Sequence, residues 1–539
     1  MSRVTLIRPA YSDVYGLVYQ ADKSFRRQIL PPLALMSLAG YLKQHGHDAI
    51  IIDGEPDLLT AEQTVEQALA TSPAVVGITA TTPEFPLVFE IVKAIKQRRP
   101  DVVTVVGGAH ITSLPGHTMA DLAPYADWGV VWEGEKPIQA IADGDPLSCA
   151  WPEGPHPQLL KSPSRLDALE LDAFFPDRST LDMTRYQMVD TGLGLTQCDA
   201  IQTARGCPFG CSFCTSRRTA LTNRTIASVM REIHDTVTRH GTKSIVFFDD
   251  TLNIERNRVM ELFQAVVAAK RRHEIPEDVC FYALTRASAL DLDLLRVMQD
   301  AGADRLTMGV ETGNHEIMRR MMKGCTLDHY REAYAMLDQV GILKRGSFIV
   351  GHPYETEETI GESIRFALEL DLDEFAVNIM TPYPGQVEFR AAFDGKGIWL
   401  SHPMHYKELR GDGQDWHAYW GMHRRWGKSI VETETLSAPA LEYWHKYFLQ
   451  EIYGSARMAV RRERHVAAGN TDTFWHRPWR THSEGYRKRV QEEAEHGRPS
   501  FPAPVHTTLT YEPVRLEDFQ KSEYDRQAMG LRKLAATAT

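Results

Sequence analysis

The chain has 539 residues, 43% hydrophobic and 24% charged, enough apolar material for more than one core and for roughly two to four domains. Its formal net charge of −11 disfavours nucleic acid or an anionic membrane surface as the main partner. The N-terminus, MSRVTLIRPAYSDVYG, lacks an apolar signal core and a cleavage pattern, and no apolar run is long enough to span a bilayer, so the expectation is a cytoplasmic protein without a transmembrane segment.

Residues 1–142 alternate β-branched runs with helical stretches: VTLIRP, LALMSLAGYLKQHG, DAIIID, AVVGITA, VVTVVGG and ADWGVVWEGE. This pattern predicts a doubly wound parallel α/β sheet, with ligands bound beyond the carboxyl ends of the strands. A Pro- and Gly-rich segment from Asp143 to about Pro163 reads as a linker, and the whole of 143–197 as a bridge. Across 198–390 the alternation resumes, with candidate strands AIQTARG, SIVFFDD, VCFYALTR, DRLTMGVET, KRGSFIVG and EFAVNIMT. Six β/α units predict a partial (β/α)6 TIM-like barrel with its chemistry at the strand C-termini. Region 391–539 reads as a mostly helical cap with a polar, Pro-rich tail, and it holds seven of the ten tryptophans.

Seven cysteines make an odd set, and three of them stand within eight residues in RGCPFGCSFCTSRR, just after the first barrel strand. That spacing suits one metal site in a reducing compartment better than a disulfide framework. Cys207, Cys211 and Cys214 can each ligate one iron of a cuboidal cluster, leaving a fourth iron open. A structural zinc site is the alternative. Such sites are usually closed by four protein ligands, and no neighbouring cysteine or histidine completes the set. Cys149, Cys198, Cys280 and Cys325 are scattered and read as free thiols.

On these residues the chain resembles the radical SAM superfamily, whose members carry CxxxCxxC on this loop. The resemblance covers nearly all of 199–390. It implies a [4Fe–4S] cluster, S-adenosyl-L-methionine (SAM) bound at the open iron, and a reducing partner such as flavodoxin or ferredoxin. It also implies SAM contacts from Asp249 and Asp250 at the end of SIVFFDD, Arg286 after FYALT and Glu311 in MGVETGN. Gly351, in FIVGHPYET with Pro353 and Glu355, and Pro384, in TPYPGQ with Gly385, match the turns after the fifth and sixth strands. The family more often has Thr where Gln386 stands. Taken singly, a strand-end acidic pair is more often a cap or a turn.

The N-terminal region resembles the cobalamin-binding domain fused to many radical SAM enzymes, through RPAY, PPLALMSLAGYL, GITATT, GGAHIT and WEGEKPI. This implies cobalamin contacts from Thr79, Thr81, Thr82, Gly107, Gly108, Glu133 and Gly134, with Tyr11 near the lower face of the corrin. The DxHxxG motif that supplies a cobalt-ligating histidine in other cobalamin proteins is absent, so no histidine from the loop PAYSDVYG is expected to bind cobalt. His110 is placed either at the cobalamin or, as the favoured reading, as a hydrogen-bonded loop residue. A degenerate doubly wound fold without cofactor is the alternative for the whole domain.

In the C-terminal region, DWHAYWGMHRRWG and TFWHRPWRTH combine Trp, His and Arg. Trp420 could line a lid, with Arg424, Arg425 or Arg480 pairing a substrate carboxylate or phosphate, or these aromatics could cement a helical cap onto the barrel. Base stacking fits poorly with the negative charge. The combined resemblance implies methylation of an unactivated carbon of a small molecule, through a 5′-deoxyadenosyl radical and methylcobalamin. Oxidative cyclisation or ring rearrangement with the same cofactors is the second reading, as in magnesium-protoporphyrin monomethyl ester cyclases. A non-catalytic cobalamin or iron–sulfur sensor is the third.

Overall fold

A computed structural model of the chain describes residues 1–10, 29–190, 194–401, 427–467, 476–504 and 506. The N-terminal region is a six-stranded parallel sheet: β1 (Arg3–Arg8), β2 (Asp48–Asp53), β3 (Val75–Thr79), β4 (Val103–Gly107), β5 (Trp128–Val131) and β6 (Leu159–Lys161), in the order β2-β1-β3-β4-β5-β6. The strands are apolar on both faces because helices cover both. Leu35, Met36, Ala39 and Leu42 of helix Leu33–Gln44 pack on Val4, Leu6 and Ile51 on one side. Phe85, Val88, Ile91 and Val92 of helix Phe85–Arg98 join Ile7, Val76 and Val106 on the other. Strand order reverses at β1, which opens the ligand-binding crevice between the carboxyl ends of β1 and β3.

The segment read as a linker contributes to this sheet. Leu159, Leu160 and Lys161 pair with Gly129, Val130 and Val131, and Lys161 lies 4.2 Å from the Trp132 ring centroid. Its prolines and glycines mark the turns around a three-residue strand, too short for periodicity to show.

The second sheet has the order β15-β14-β13-β12-β11-β8-β7. Its members are β7 (Gln187–Asp190), β8 (Gly194–Ile201), β11 (Ser244–Phe247), β12 (Cys280–Thr285), β13 (Ala303–Glu311), β14 (Leu343–Val350) and β15 (Glu374–Ile379). Six strands are parallel and form the expected half-barrel; β7 is antiparallel at one edge. The first parallel strand starts earlier than AIQTARG suggests. Ala204–Arg205 forms a separate β9 that pairs antiparallel with β10 (Thr222–Asn223), closing the cysteine segment as a hairpin loop. Helix starts in this region use side-chain caps at Thr225, Asp291, Thr326 and Thr356, and helices Ile226–His240 and Leu327–Val340 end on left-handed Gly241 and Gly341.

The bridge is clamped to the barrel by buried charge. Arg178 donates to Asp199 (2.5 Å) and Glu232 (2.9 Å), and Arg224 donates to the other Glu232 oxygen (2.5 Å). A hairpin of β16 (Ile398–Leu400) and β17 (Val431–Thr433) follows, then helices Ala438–Gly454, Ala456–Ala467 and His476–His496. His445 on the first of these lies 2.9 Å from the Val377 carbonyl of edge strand β15, and Phe448 packs on Phe348, so the helix covers the open edge of the half-barrel. No described helix is long and apolar enough to cross a membrane.

Glu232→Ala leaves two buried arginines short of a carboxylate. It should cost about 3–5 kcal/mol, read as a lower urea midpoint. Breaking the exposed Arg331–Glu369 pair should leave that midpoint nearly unchanged.

Candidate functional site

The cysteine loop begins where Gly206, at φ +97°, turns the chain out of β9; a Cβ there would collide with the Ala220 carbonyl. The Cys207 amide donates to Thr219 Oγ1 (2.8 Å), the Thr219 amide donates back to the Cys207 carbonyl (2.9 Å), and the Arg218 amide donates to the Phe209 carbonyl (2.8 Å). From outside, the Ser212 amide donates to the Met321 carbonyl, its hydroxyl to Glu388, and the Val387 amide to the Ser212 carbonyl. The loop is therefore held from both flanks.

Cys207 is buried, while Cys211 and Cys214 are half-buried. Burial pushes the Cys207 thiol up, and the Cys214 thiol up to about 11; the other two cysteines and Asp250 add to the Cys214 shift. The three sulfurs thus feel one another. Among the described residues, no three His, Cys, Asp or Glu groups converge as they would around a single ion. A cuboidal cluster takes one thiolate per iron and does not require such convergence. The donor set fits it.

The acidic pair closing SIVFFDD divides. Asp249 is buried and accepts from the Thr203 amide (2.7 Å), the Thr203 hydroxyl (2.7 Å) and the Ala204 amide (2.8 Å), with its pKa pushed to about 6 by burial. It anchors the approach to the loop, and both its oxygens are engaged. Asp250 is the member whose charge acts on the cysteines, raising the Cys207 and Cys214 thiols. Arg286 stacks 3.8 Å from the Phe209 ring centroid, donates to Ser288 Oγ (3.1 Å) and to the Lys323 carbonyl, and so braces the CPFG turn.

Glu311 ends β13 at φ +69° and accepts from Lys323 Nζ (2.6 Å). A Cβ on Gly309 would crowd Lys323 Nζ at 2.7 Å, so the glycine makes room for this ion pair. Lys323 also lies 5.5 Å from the Phe213 ring centroid, inside the cysteine loop. The sequence reading missed Lys323, which sits in an unremarkable MMKGCT turn twelve residues after its partner.

Gly351 adopts φ +98°, and Glu355 caps this turn by accepting from the Gly351 and His352 amides. Burial pushes the Glu355 carboxyl up to about 8 and the His352 imidazole down to about 4. After β15, Pro384 precedes Gly385 at φ +86°, where a Cβ would lie 3.1 Å from Ser113 Oγ of the N-terminal region. The carboxyl edges of the two sheets therefore meet.

On the N-terminal side, Gly108 at φ +103° packs so tightly on β3 that a Cβ would lie 2.7 Å from the Ala80 carbonyl, whereas one on Gly107 would find nothing closer than 3.8 Å. Thr79 is half-buried at the end of β3, and Gly107 is half-buried beside it. Other candidates turn inward. Thr81 gives its amide (3.0 Å) and hydroxyl (2.7 Å) to Glu84. Thr82 and His110 are buried and lie 3.1 Å apart, with the His110 ring 4.3 Å from that of Phe85, which is the hydrogen-bonded reading of His110. Glu133 accepts from the Leu166 amide (2.8 Å) and faces Arg165 and Arg205; a Cβ on Gly134 would meet Leu38 at 3.3 Å. Buried Glu135 accepts from Arg205 (2.7 Å), the residue just before Gly206 and Cys207. Tyr11, Trp420, Arg424 and Arg425 lie outside the described residues, as does the side chain of Arg480.

Residues 201–367 match the model of the radical SAM superfamily, and residues 25–142 match that of the B12 binding domain. The chain is a cobalamin-dependent radical SAM enzyme. Its cofactors are a [4Fe–4S] cluster, SAM and cobalamin. An uncharacterized methyltransferase of Pyrococcus horikoshii is 29% identical over 367 residues, covering 66% of this chain and 77% of that protein. The anaerobic magnesium-protoporphyrin IX monomethyl ester cyclase of Rubrivivax gelatinosus is 28% identical, covering 66% of this chain and 65% of the cyclase. Among solved structures, the radical SAM methyltransferase TsrM of Kitasatospora setae, with cobalamin and a [4Fe–4S] cluster bound, aligns with a TM-score of 0.62. That alignment covers 91% of this chain and all of TsrM at 18% identity, a likeness of fold. Half-buried Thr79 and Gly107 at the carboxyl ends of β3 and β4, where a Cβ on Gly107 would meet nothing closer than 3.8 Å, fit a large flat ligand beside the β1–β3 crevice.

Two outcomes test this geometry. Gly108→Ala should destabilise the N-terminal region by about 1–3 kcal/mol, whereas Gly107→Ala should be tolerated; thermal melts of the two variants decide. Glu355 is protonated more readily folded than unfolded, so its contribution to stability is complete below its ordinary pKa and is lost as pH rises through about 8. Stability of Glu355→Gln, measured by denaturant titration between pH 5 and pH 8, should lack that share of the decline.

Proposed function

We propose that this enzyme transfers a methyl group to an unactivated carbon of a small-molecule biosynthetic intermediate. The observation that carries the reading is the face-to-face placement of two sheet edges, one bearing the cysteine loop and the other the Thr79 and Gly107 crevice, joined at Gly385–Ser113 and Arg205–Glu135. When bound, the cluster and cobalamin supply reductive SAM cleavage and methyl carriage.

Within this reading, Cys207, Cys211 and Cys214 would hold the cluster as thiolates, Cys207 and Cys214 giving up protons that burial favours in the free thiols. Asp250, whose charge acts on Cys207 and Cys214, and Arg286, stacked on Phe209 of the cysteine loop, would hold the SAM amino and carboxylate groups. The Lys323–Glu311 pair lies beside the cysteine loop and would form a wall for the nucleoside of SAM. Thr79 and the Gly107–Gly108 backbone support cobalamin. Asp249, Thr82, His110 and Glu133 hold these loops in place without touching the cofactors.

The similarity to magnesium-protoporphyrin cyclases supports a second reading, radical oxidative cyclisation with the same cofactors. Product mass separates the two, since only methyl transfer adds a methyl unit.

Anaerobic reconstitution with iron, sulfide and hydroxocobalamin should load about four irons per chain and one cobalt. Turnover should yield both 5′-deoxyadenosine and S-adenosylhomocysteine. Cys211→Ala should lose the iron and keep the cobalt. Substrate turnover that never generates S-adenosylhomocysteine would sink methyl transfer.

A further inference from the structure

The strand registers of the half-barrel set a row of inward side chains that descends from the carboxyl end of β11 to the amino end of β15. Leu306, Met308 and Val310 on β13 are fully buried against the helices, so Arg305, Thr307, Gly309 and Glu311 point into the barrel. In the parallel ladder Leu284 pairs with Thr307, Thr307 with Arg345, and Arg345 with Glu374. Phe248, one residue beyond the Phe247–Ala283 pair, continues the row on the other side. The row thus runs Phe248, Leu284, Thr307, Arg345, Glu374 across five neighbouring strands or their ends.

Its two ends differ in chemistry. Phe248 is 53% exposed and Leu284 is 40% exposed, a large apolar surface turned into an open interior. At the other end Glu374 is buried and accepts two bonds from Arg305 (2.7 and 2.6 Å). Arg345 stands beside this closed pair. Among the described residues, no side-chain hydrogen bond or ion pair reaches its guanidinium, and it is only half-buried. Burial and the neighbouring Arg305 both push its pKa down, although Glu374 opposes them. Two arginines face one carboxylate, and that carboxylate is already taken. A cation placed this way is stabilised by an incoming anion.

We infer that the barrel interior binds a substrate with an apolar body and an oxyanion, carboxylate or phosphate, the body lying on Phe248 and Leu284 and the oxyanion on Arg345. This rests on the reading of the barrel as the substrate site and adds the substrate's chemical class. The span across the row requires the anionic group to stand on the far side of the molecule from its apolar contact. Arg345 therefore sets the direction in which the substrate enters and which carbon faces the cysteine loop.

The test uses the full-length protein under anaerobic conditions and three probes with one apolar body: 4-phenylbutyrate, 3-phenylpropyl phosphate and neutral 4-phenylbutanamide. Calorimetric titration of the unaltered enzyme should show at least one anionic probe binding about tenfold or more tightly than the amide. The stronger anion identifies the oxyanion. Arg345→Gln should abolish the preference, Arg345→Lys should keep most of it, and Phe248→Ala should weaken all three probes alike. SAM affinity should be unchanged in Arg345→Gln. The inference is overturned if the unaltered enzyme binds acid and amide equally or binds none of the probes. It is overturned too if Arg345→Gln keeps the preference, or if that variant loses SAM binding instead. The comparison on the unaltered enzyme needs no variant to fold. Failure here leaves S-adenosylhomocysteine formation untouched, so it is distinct from failure of methyl transfer.

Discussion

The ion pair between Glu135 and Arg205 is the contact on which the site depends. Glu135 belongs to the EGE turn after the fifth strand of the first sheet, and Arg205 is the last residue before the cysteine loop turns at Gly206. One 2.7 Å bond therefore joins the loop that closes one cofactor crevice to the loop that begins the other. Glu133 stands 3.9 Å from the same guanidinium, and Arg165 of the bridge reaches both Glu133 and the Ala220 carbonyl at the far end of the cysteine segment. A radical enzyme with two carriers must hold them at a fixed separation, because effective concentration at the reacting carbon collapses with small misplacement. Here the charge pairs Arg205–Glu135 and Arg165–Glu133 tie the two loops together.

The same use of buried charge recurs below the site. Arg178, Asp199, Glu232 and Arg224 lock the bridge beneath the first barrel strands, and Arg305 and Glu374 span β14 from β13 to β15. Buried ion pairs contribute little net stability against an apolar alternative, but they tolerate only one geometry. Their placement under a loop that must meet a cuboidal cluster suits that property. Arg345 departs from the pattern. Its guanidinium stands beside the Arg305–Glu374 pair, and among the described residues no side-chain hydrogen bond or ion pair reaches it.

Much of this was legible in the chain itself. The strand and helix alternation, the six-unit half-barrel and the three cysteines all follow from periodicity and spacing, because they depend on local patterns repeated many times. What escaped was either short or non-local. The strand Leu159–Lys161 was hidden by flanking prolines and glycines, and Lys323 has no pattern to mark it. The division of labour between Asp249 and Asp250 could not be read from adjacency. Beyond the end of β11 at Phe247, Asp249 turns back onto Thr203 and Ala204, while the charge of Asp250 acts on Cys207 and Cys214. Thr82 and His110 sit in motif positions yet face each other in the interior, so a matching motif locates a loop without saying which of its side chains points outward.

A half-barrel leaves one edge and one mouth open, and the chain treats them differently. The edge at β15 is covered by helix Ala438–Gly454, which places His445 against the Val377 carbonyl and Leu441 beside Gly351. Hairpin β16–β17 continues the cover, with Thr433 donating to the Glu355 carbonyl (2.9 Å). The C-terminal region is thus bonded to the very turn whose carboxyl is shifted by burial. The cover and the turn share one hydrogen-bonded layer, so a change in one reaches the other without passing through the cluster. The mouth, by contrast, retains exposed Phe248, Leu284 and Asn378 on its inner wall. Apolar side chains held open to an interior are unfavourable in the free protein and favourable once covered. The wall is built for an occupant, while the edge is built to need none.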